Sequence, residues 1–275
     1  MKIKLKTHLY IPDCQITPRS ETCFLEWIGK YICGKKPDVI ICAGDFADME
    51  SLSSYDKGKK SFEGRRYKHD IQAARDGMTT LLAPLRSMQS AQRSNKHKVY
   101  NPRMVLTLGN HEHRIDRAIE EEAILEDTIS IADLGYESFG WEVHPYLQTV
   151  EIDGILYSHF FPRGPNGRVM QNKRGCPSAR AQVCREMQSS TSGHLQGLDW
   201  CVYQTGSHRK YGLIAGSCYL DDFGYLTPQG EHYWRGIVMK HEVQDGSYDP
   251  MFVSLGFLCR EYGTPAQVKK WGELK

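Results

Sequence analysis

Five short groups of polar residues carry the side chains in this sequence that are best suited to chemistry. The first three directly follow short apolar runs. The groups are Asp13-Cys14-Gln15, Gly44-Asp45-Phe46-Ala47-Asp48, Gly109-Asn110-His111-Glu112, Ser158-His159 and Gly193-His194-Leu195-Gln196. Carboxylate, amide and imidazole groups together form a ligand set for a site that holds two divalent metals. Two such ions about 3.5–4 Å apart can clamp a phosphate and lower the pKa of a bridging water.

The sequence around these groups predicts the elements that position them. The apolar runs that end at Ile11, Cys42 and Leu108 are typical of buried strands. Because sites in open α/β sheets lie outside the carboxyl ends of the strands, we expect Asp13, Asp45 and Asn110 to lie near one another.

Helical spacing of apolar residues predicts a helix over 21–33, with Ser20 as its N-cap. A second helix is predicted over 71–88, with a kink or a new start at Pro84, and a third from Arg114 onward. The later pattern predicts strands over 147–152, 155–158, 200–204, 211–215, 232–239 and 252–258. Alternating strands and helices followed by a strand-rich half predict a layered α/β fold.

The order of the five groups resembles the calcineurin-like metallophosphoesterase superfamily. That family's pattern is Asp-x-His, Gly-Asp-x-x-Asp, Gly-Asn-His-Glu or Asp, His, and Gly-His-x-His, and the match spans residues 13–196. The branch it resembles is the DNA-repair exonuclease-like one. The resemblance implies a four-layered α-β-β-α sandwich of two mixed sheets. We expect a single such domain over residues 1–275.

The resemblance also implies two metal sites that share one carboxylate. The first site would combine Asp13, Gln15, Asp45 and Gln196. The second site would combine Asp45, Asn110, His159 and His194. Gln15 and Gln196 stand where the family has histidine, and a neutral amide oxygen suits Mn²⁺, Mg²⁺ or Ca²⁺ better than Zn²⁺. We therefore expect two divalent ions, with Mn²⁺ favoured over Mg²⁺ or another ion, and a weaker first site.

The resemblance implies that two further motif residues act together in protonating the leaving group. His111 would be the general acid for the leaving-group oxygen, and Asp48 would hold its other ring nitrogen, while a metal-bridged hydroxide attacks the phosphorus. Arg114 could reach a substrate phosphate or pair with a neighbouring acid. Glu112 is expected to be structural, as an acid in the first turn of the following helix.

Composition restricts the class of protein. The chain has 275 residues, with 35 basic and 33 acidic side chains, which is typical of a globular protein. No apolar run approaches the roughly 18 residues of a membrane span, and the stretch after the basic N-terminus is too short for a signal peptide. The nine cysteines include no Cys-x-x-Cys pair, as expected for reduced thiols. These features predict a cytoplasmic protein without membrane contact, of undetermined oligomeric state.

Basic residues concentrate in three segments that flank the motifs. Residues 57–69 hold six basic side chains and one acid, residues 86–103 hold five and no acid, and residues 163–185 hold six and no acid. We expect the insertion at about 49–103 and the loop at about 163–190 to form a rim or lid. Arg163 and Arg168 are candidate substrate contacts, and the aromatic residues beside these segments that could stack on bases are Tyr67, Tyr100 and Phe161.

These features favour a phosphodiesterase or nuclease with nucleic acid as its substrate partner. The same motif residues would serve a phosphomonoesterase, either a protein phosphatase or a nucleotidase, and then the basic segments would be solvated surface. The two glutamines leave a further alternative, a catalytically degenerate binding scaffold. Such a scaffold would lack metal-dependent turnover of any phosphoester.

Overall fold

The structure is a computed structural model that describes residues 5–162, 178–204, 206–220 and 233–274. Its helices are α1 (Cys23–Lys35), α2 (Tyr67–Ser94), α3 (Arg114–Glu121), α4 (Ala179–Glu186), α5 (Leu255–Tyr262) and α6 (Pro265–Trp271). Its strands are β1 (Lys6–Ile11), β2 (Val39–Cys42), β3 (Arg103–Thr107), β4 (Glu142–His144), β5 (Val150–Ile152), β6 (Ile155–Tyr157), β7 (Ser189–Ser192), β8 (Leu198–Gln204), β9 (Arg209–Ala215), β10 (Gly236–Gln244) and β11 (Ser247–Ser254).

The first sheet carries the strands that precede the first three motifs. Its order is β11-β10-β1-β2-β3-β4. Strands β1 to β4 run parallel to one another, with Leu9 beside Ile40 and Ile40 beside Met104. Strands β10 and β11 close the other side in antiparallel pairing. Because β1, β2 and β3 point the same way, their following loops meet at one edge of the sheet.

The second sheet has the order β5-β6-β7-β9-β8. Strands β6, β7 and β9 are parallel, and β5 and β8 are antiparallel edge strands. Its inner face packs against the first sheet through buried residues such as Tyr10, Ile41, Tyr157 and Leu213. Both sheets are therefore mixed, and an apolar layer lies between them.

Helices cover the two outer faces. Leu9 and Ile11 alternate with Tyr10 along β1, so they face away from the second sheet and pack with Phe24 and Ile28 of α1. Helices α2 and α5 pack against α1 on this side. Helix α4 lies on the outer face of the second sheet, where it contacts β7, β8 and β9. The predicted α-β-β-α sandwich of two mixed sheets is confirmed.

The ends of helices α1 and α2 differ from the predicted ends. Helix α1 begins at Cys23 after Thr22, and Ser20 instead accepts a hydrogen bond from the backbone N–H of Thr17. Helix α2 extends over 28 residues, and Pro84 lies inside it without ending it. Tertiary packing of α2 on α1 compensates for the hydrogen bond that the proline removes.

The prediction for 252–258 is wrong in its second half. Strand β11 ends at Ser254, whose hydroxyl accepts the backbone N–H of Phe257 and caps α5. Strand β7 and helix α4 were not predicted, because neither has a clear apolar period. The β7 sequence Ser189–Ser192 is polar yet fully buried, since Ser190 and Ser192 bond to Gln182 of α4.

None of the helices in the described residues has the length and apolar character required to cross a lipid bilayer.

Candidate metal centre and cleft

The loops after β1 and β2 dock directly on one another. The backbone carbonyl of Asp45 accepts N–H groups from Cys14 at 3.1 Å and Gln15 at 2.8 Å. Both Gln15 and Asp45 have a positive φ of 47°, a left-handed conformation that costs free energy in non-glycine residues and often marks functional sites. This docking fixes the first two motifs relative to each other at the carboxyl edge of the first sheet.

The second sheet brings the remaining motifs to the same edge. His159 follows β6 and His194 follows β7. The backbone N–H of His194 donates to both carboxylate oxygens of Asp13 at 3.0 Å, so the loop after β7 is joined to the loop after β1. At Gly193, an added Cβ would lie 2.2 Å from Oδ1 of Asp13. The close approach of these two loops therefore requires a glycine at this position.

Four potential ligand atoms converge on one point between the sheets. The Nε2 atom of His159 lies 2.9 Å from Oδ1 of Asn110, 3.3 Å from Oδ2 of Asp45 and 3.2 Å from Nδ1 of His194. The Nδ1–H of His159 donates to the carbonyl of Ala43 at 2.9 Å. In the neutral imidazole, Nε2 is then an unprotonated lone pair that faces other lone pairs. A cation satisfies this set of donors, and Asp45, His159 and His194 form a group with ligand atoms within 4.8 Å of one another.

The electrostatics of these residues also favour a bound cation. Burial lowers the pKa of His159, but the charges of Asp45 and Asp13, together with the hydrogen bonds to Asp45 and to the carbonyl of Ala43, outweigh burial and raise that pKa to about 9. Burial and the charge of His159 together lower the pKa of His194 to about 3. Burial raises the pKa of Asp13 to about 7, and the nearby charge of Asp45 contributes to this rise. The buried carboxylates thus stabilise positive charge at the point where the ligand atoms meet.

The residues implied for the first metal site lie beside this point. Gln15 and Gln196 line the same cleft as Asp45, while Asp13 lies beneath it with no exposed surface. The Oε1 atom of Gln196 accepts a hydrogen bond from the hydroxyl of Tyr219 at 2.6 Å, which orients the amide. Their donors are oxygen atoms, as Mn²⁺ and Mg²⁺ prefer. Their role as ligands stays a prediction.

His111 lies at the mouth of the centre, between two carboxylates. Its Nδ1 bonds to Oδ1 of Asp48, and its Nε2 lies 3.7 Å from Oδ2 of Asp45. Burial lowers the pKa of His111, but the charges of Asp45 and Asp48 outweigh it, and the pKa rises overall. Asp48 therefore fixes the ring orientation and supports a protonated imidazole.

Arg114 pairs with a neighbouring acid, which is one of the two alternatives that the sequence left open. Its guanidinium donates to the backbone carbonyl of Asp48 at 2.7 Å and lies 3.4 Å from the Asp48 carboxylate. It also approaches Nε2 of His111 at 3.3 Å and lines the cleft. Arg114 is thus held against the His111–Asp48 pair while it still faces the space in front of His111.

Glu112 has a structural role, as predicted, but not in the predicted position. Its side chain is fully buried and lies ahead of α3, so it is not an acid in the first turn of that helix. Its carboxylate accepts the backbone N–H groups of Asp45, Phe46, Ala47 and Gly109 at 2.8–3.0 Å. The hydroxyl of Tyr136 donates to it as well, at 3.2 Å. Glu112 therefore holds the loop that carries Asp45.

A cleft of about 320 Å³ opens in front of the centre. It is lined by Gln15, Asp45, Asp48, Ser53, Tyr55, Asp56, Lys59, Asn110, His111, Arg114, His194, Gln196 and Tyr233. The sequence motifs did not identify Ser53, Tyr55, Asp56 or Tyr233. Lys59 belongs to the first basic segment, but nothing in the sequence distinguished it from the lysines beside it.

Most of the predicted basic rim lies elsewhere or outside the described residues. Arg163 and Arg168 are among the residues that the structure does not describe. In the segment 86–103, Arg86 donates to the carbonyl of Phe139 and Arg103 pairs with Glu142, and no residue of this segment lines the cleft. Of the 49–103 insertion, only Ser53, Tyr55, Asp56 and Lys59 line it.

The proposed base-stacking residues do not line the cleft either. The hydroxyl of Tyr67 donates to Asp133 at 2.7 Å, and that of Tyr100 donates to the carbonyl of Pro37 at 2.5 Å. Phe161 is 3% exposed. Phe161 is therefore too buried to stack on a base, while stacking by the half-buried Tyr67 and Tyr100 stays a prediction.

Comparison with known proteins gives limited additional information. No protein-family model matches the chain. The Gene 54 protein of Mycobacterium phage D29 is 26% identical over 254 residues, covering 82% of this chain and 91% of that protein. TT1561 of Thermus thermophilus has a TM-score of 0.42 at 8% identity, covering 90% of this chain and 99% of that one. Yfce, a phosphoesterase from E. coli, has a TM-score of 0.35 at 10% identity, covering 90% and 100%.

Proposed function

We propose that this protein is a divalent-metal-dependent phosphoesterase that cleaves phosphodiester bonds in nucleic acid. The observation that carries the proposal is the convergence of Asp45, Asn110, His159 and His194 on one point beside His111. When His159 is neutral, its Nε2 lone pair faces the other lone pairs in a buried site, and a bound cation would satisfy all of them. A protonatable imidazole beside that cation supplies the second requirement of phosphoester cleavage, a proton for the departing oxygen.

The donor atoms divide the proposed metal ligands into two sets. Asn110, His159 and His194 offer one amide oxygen and two imidazole nitrogens, and Asp13, Gln15 and Gln196 offer oxygen only. Asp45 would contribute its carboxylate to both sets. The oxygen set favours Mn²⁺ and also suits Mg²⁺. When bound, divalent ions supply Lewis acidity that offsets the negative charge of a phosphate.

Three further residues of this chain have distinct proposed roles in the cleavage. His111 donates the proton at Nε2 to the leaving-group oxygen, because its Nδ1–H is held by Asp48. Arg114, which contacts the same imidazole, directs a positive charge to the space that the phosphate would occupy. Glu112 keeps the Asp45 loop in the geometry that the ligand set requires.

Two cations in the cleft support a polyanionic substrate, because each pairs with one carboxylate of the chain and keeps further N–H donors for a phosphate. Arg114, at the start of α3, and Lys59, in the insertion after the second motif, both line it. A nucleic acid brings further phosphates beyond the one that is cleaved, and each can pair with a basic group at the rim. The three basic segments predicted many basic residues around the cleft. Among the described residues of those segments, Lys59 is the one that lines it. Assignment to the DNA-repair exonuclease-like branch stays a prediction.

The substrate class is tested with the metal-stripped protein restored with Mn²⁺, Mg²⁺ or Zn²⁺ in turn. Each form is assayed on bis-para-nitrophenyl phosphate, labelled single-stranded DNA and para-nitrophenyl phosphate. The proposal predicts Mn²⁺-dependent cleavage of the diester and the DNA, with little monoester cleavage. A preference for the monoester would favour a phosphomonoesterase. Metal binding without turnover of any of the three would overturn the proposal and favour a binding scaffold.

A further inference from the structure

Residues 53–59, here called the cleft wall, present an aromatic ring and a cation beside the proposed metal centre. Ser53, Tyr55, Asp56 and Lys59 line the cleft that also contains His111. Tyr55 is 80% exposed, which is unusual for a large ring that borders a cleft. Among the described residues its hydroxyl has no hydrogen-bond partner, so the ring is available to a ligand.

Asp56 organises the cleft wall. Its carboxylate accepts hydrogen bonds from Lys59 at 2.9 Å, Arg65 at 2.9 Å and Ser53 at 3.3 Å. The hydrogen bonds from Lys59 and Arg65 lower the pKa of Asp56 to about 2, so the carboxylate is ionised at neutral pH. Three bonds to one side chain fix a short loop that has no regular secondary structure around Tyr55.

The cleft wall is also tied to the proposed general acid. Arg65, whose side chain is 10% exposed, donates to the backbone carbonyl of Glu50 at 3.1 Å and pairs with the Glu50 carboxylate at 3.4 Å. The chain just before Glu50 is held by Arg114, which donates to the carbonyls of Asp48 and Met49. A continuous set of bonds therefore connects the position of Tyr55 to that of His111.

We infer that the cleft wall is a subsite for the nucleoside next to the cleaved phosphate, with Tyr55 stacked on the base and Lys59 paired with the neighbouring phosphate. This inference rests on the proposed function. A ring face and an ammonium group at one side of a phosphate-cleaving centre match the alternation of bases and phosphates in a single strand. The stacking is independent of base identity, because every base has a π-face.

The base subsite is tested with two chromogenic diesters that differ only in the base. One is the para-nitrophenyl ester of thymidine 5′-phosphate, and the other is the corresponding abasic deoxyribose ester. Stacking predicts that wild-type protein prefers the thymidine ester in kcat/KM and that Tyr55→Ala lowers this preference by about 5- to 150-fold. Tyr55→Phe and Tyr55→Trp should keep it. Ile124→Ala, at an exposed side chain away from the cleft, is the control.

The outcomes separate the subsite from the proposed function. If the wild type cleaves neither ester nor DNA, the proposed function fails. If it cleaves both esters without preference, or if Tyr55→Ala lowers both rates equally, the proposed function stands and the base subsite is wrong.

Lys59 is tested by salt dependence on a single-stranded oligonucleotide. Lys59→Met should raise KM. It should also reduce the magnitude of the slope of log(kcat/KM) against log salt concentration by about one. Lys57→Met removes an exposed lysine of the same loop that does not line the cleft, and it is the matched control. Equal slopes for the two variants would exclude Lys59 from the subsite.

Discussion

The Nε2 atom of His159 lies 3.2 Å from the Nδ1 atom of His194. The first histidine follows β6 and the second follows β7, two parallel neighbours of the second sheet. The other nitrogen of the first imidazole donates to the carbonyl of Ala43, which directly follows β2 of the first sheet. This hydrogen bond connects the two sheets at the point where the ligand atoms meet. We therefore expect metal affinity and local structure to change together.

His111→Ala should lower turnover of bis-para-nitrophenyl phosphate by about 10²- to 10⁴-fold, because a positioned general acid contributes that much. Metal binding should persist, since His111 is not among the proposed ligands. Steady-state kinetics and Mn²⁺ binding are measured on the same preparation, with His97→Ala at an exposed position as the control. An unchanged rate would remove His111 from its role.

Asp48→Asn should lower kcat less than His111→Ala, because the imidazole remains but loses the carboxylate that orients it. The double variant Asp48→Asn with His111→Ala should be no slower than His111→Ala alone. Additive losses in this double-mutant cycle would show that Asp48 acts independently of His111.

Glu112→Gln should destabilise the protein and weaken metal binding. An amide can accept from the donors at only one of the two Glu112 oxygens, so backbone N–H groups of the Asp45 loop lose their acceptor. Leaving buried donors unpaired costs at least about 2 kcal/mol in the free energy of unfolding. Urea unfolding in excess chelator measures this loss.

Tyr136→Phe is the matched variant for Glu112, because it removes one donor and keeps every backbone bond. It should cost about 1 kcal/mol and leave Mn²⁺ affinity nearly unchanged. If Glu112→Gln were as mild as Tyr136→Phe, the carboxylate would not be what holds the loop.

His8 should make stability depend on pH. Burial and the nearby charge of Lys240 lower its pKa to about 4, below the unfolded value of about 6.5. The unfolded chain therefore binds more protons between these values, and the stability present above pH 6.5 is lost as pH falls toward 4, by about 3 kcal/mol. His8 also faces Tyr157 at 2.8 Å and Asp153 at 2.9 Å.

His8→Gln should flatten this pH dependence relative to wild type when unfolding is measured in excess chelator. His97→Gln, at an exposed histidine, should leave the slope unchanged. Identical slopes for wild type and His8→Gln between pH 6.5 and 4 would show that other groups set the acid sensitivity.

The sequence predicted those parts of the site that depend on a local apolar pattern and on parallel strand order. Short apolar runs predicted β1, β2 and β3, and their parallel order predicts that Asp13, Asp45 and Asn110 meet at one edge. The approach of His194 was harder to derive from the residues, because it follows β7, a strand of serine and threonine whose burial depends on Gln182. Pairing with a distant helix leaves no period in the local sequence.

The cleft wall could not be predicted for a related reason. Tyr55 is placed by bonds from Asp56 to Arg65 and from Arg65 to Glu50, and none of these contacts follows from a periodic pattern. Charge density favoured all three basic segments equally, although Arg86 and Arg103 are used to hold the fold. Counting charges does not distinguish a cation that binds a ligand from one that pairs with its own chain.

Asp45 and its neighbours are proposed to hold a divalent ion on which phosphodiester cleavage depends. The most direct test titrates Mn²⁺ into metal-stripped wild type, Asp45→Asn and the exposed control Asp249→Asn, and follows bound Mn²⁺ by electron paramagnetic resonance together with hydrolysis of bis-para-nitrophenyl phosphate. Binding and activity should rise together in wild type and control, and both should be lost in Asp45→Asn. Full activity in excess chelator, or full Mn²⁺ binding by Asp45→Asn, would show that cleavage does not depend on an ion held by Asp45.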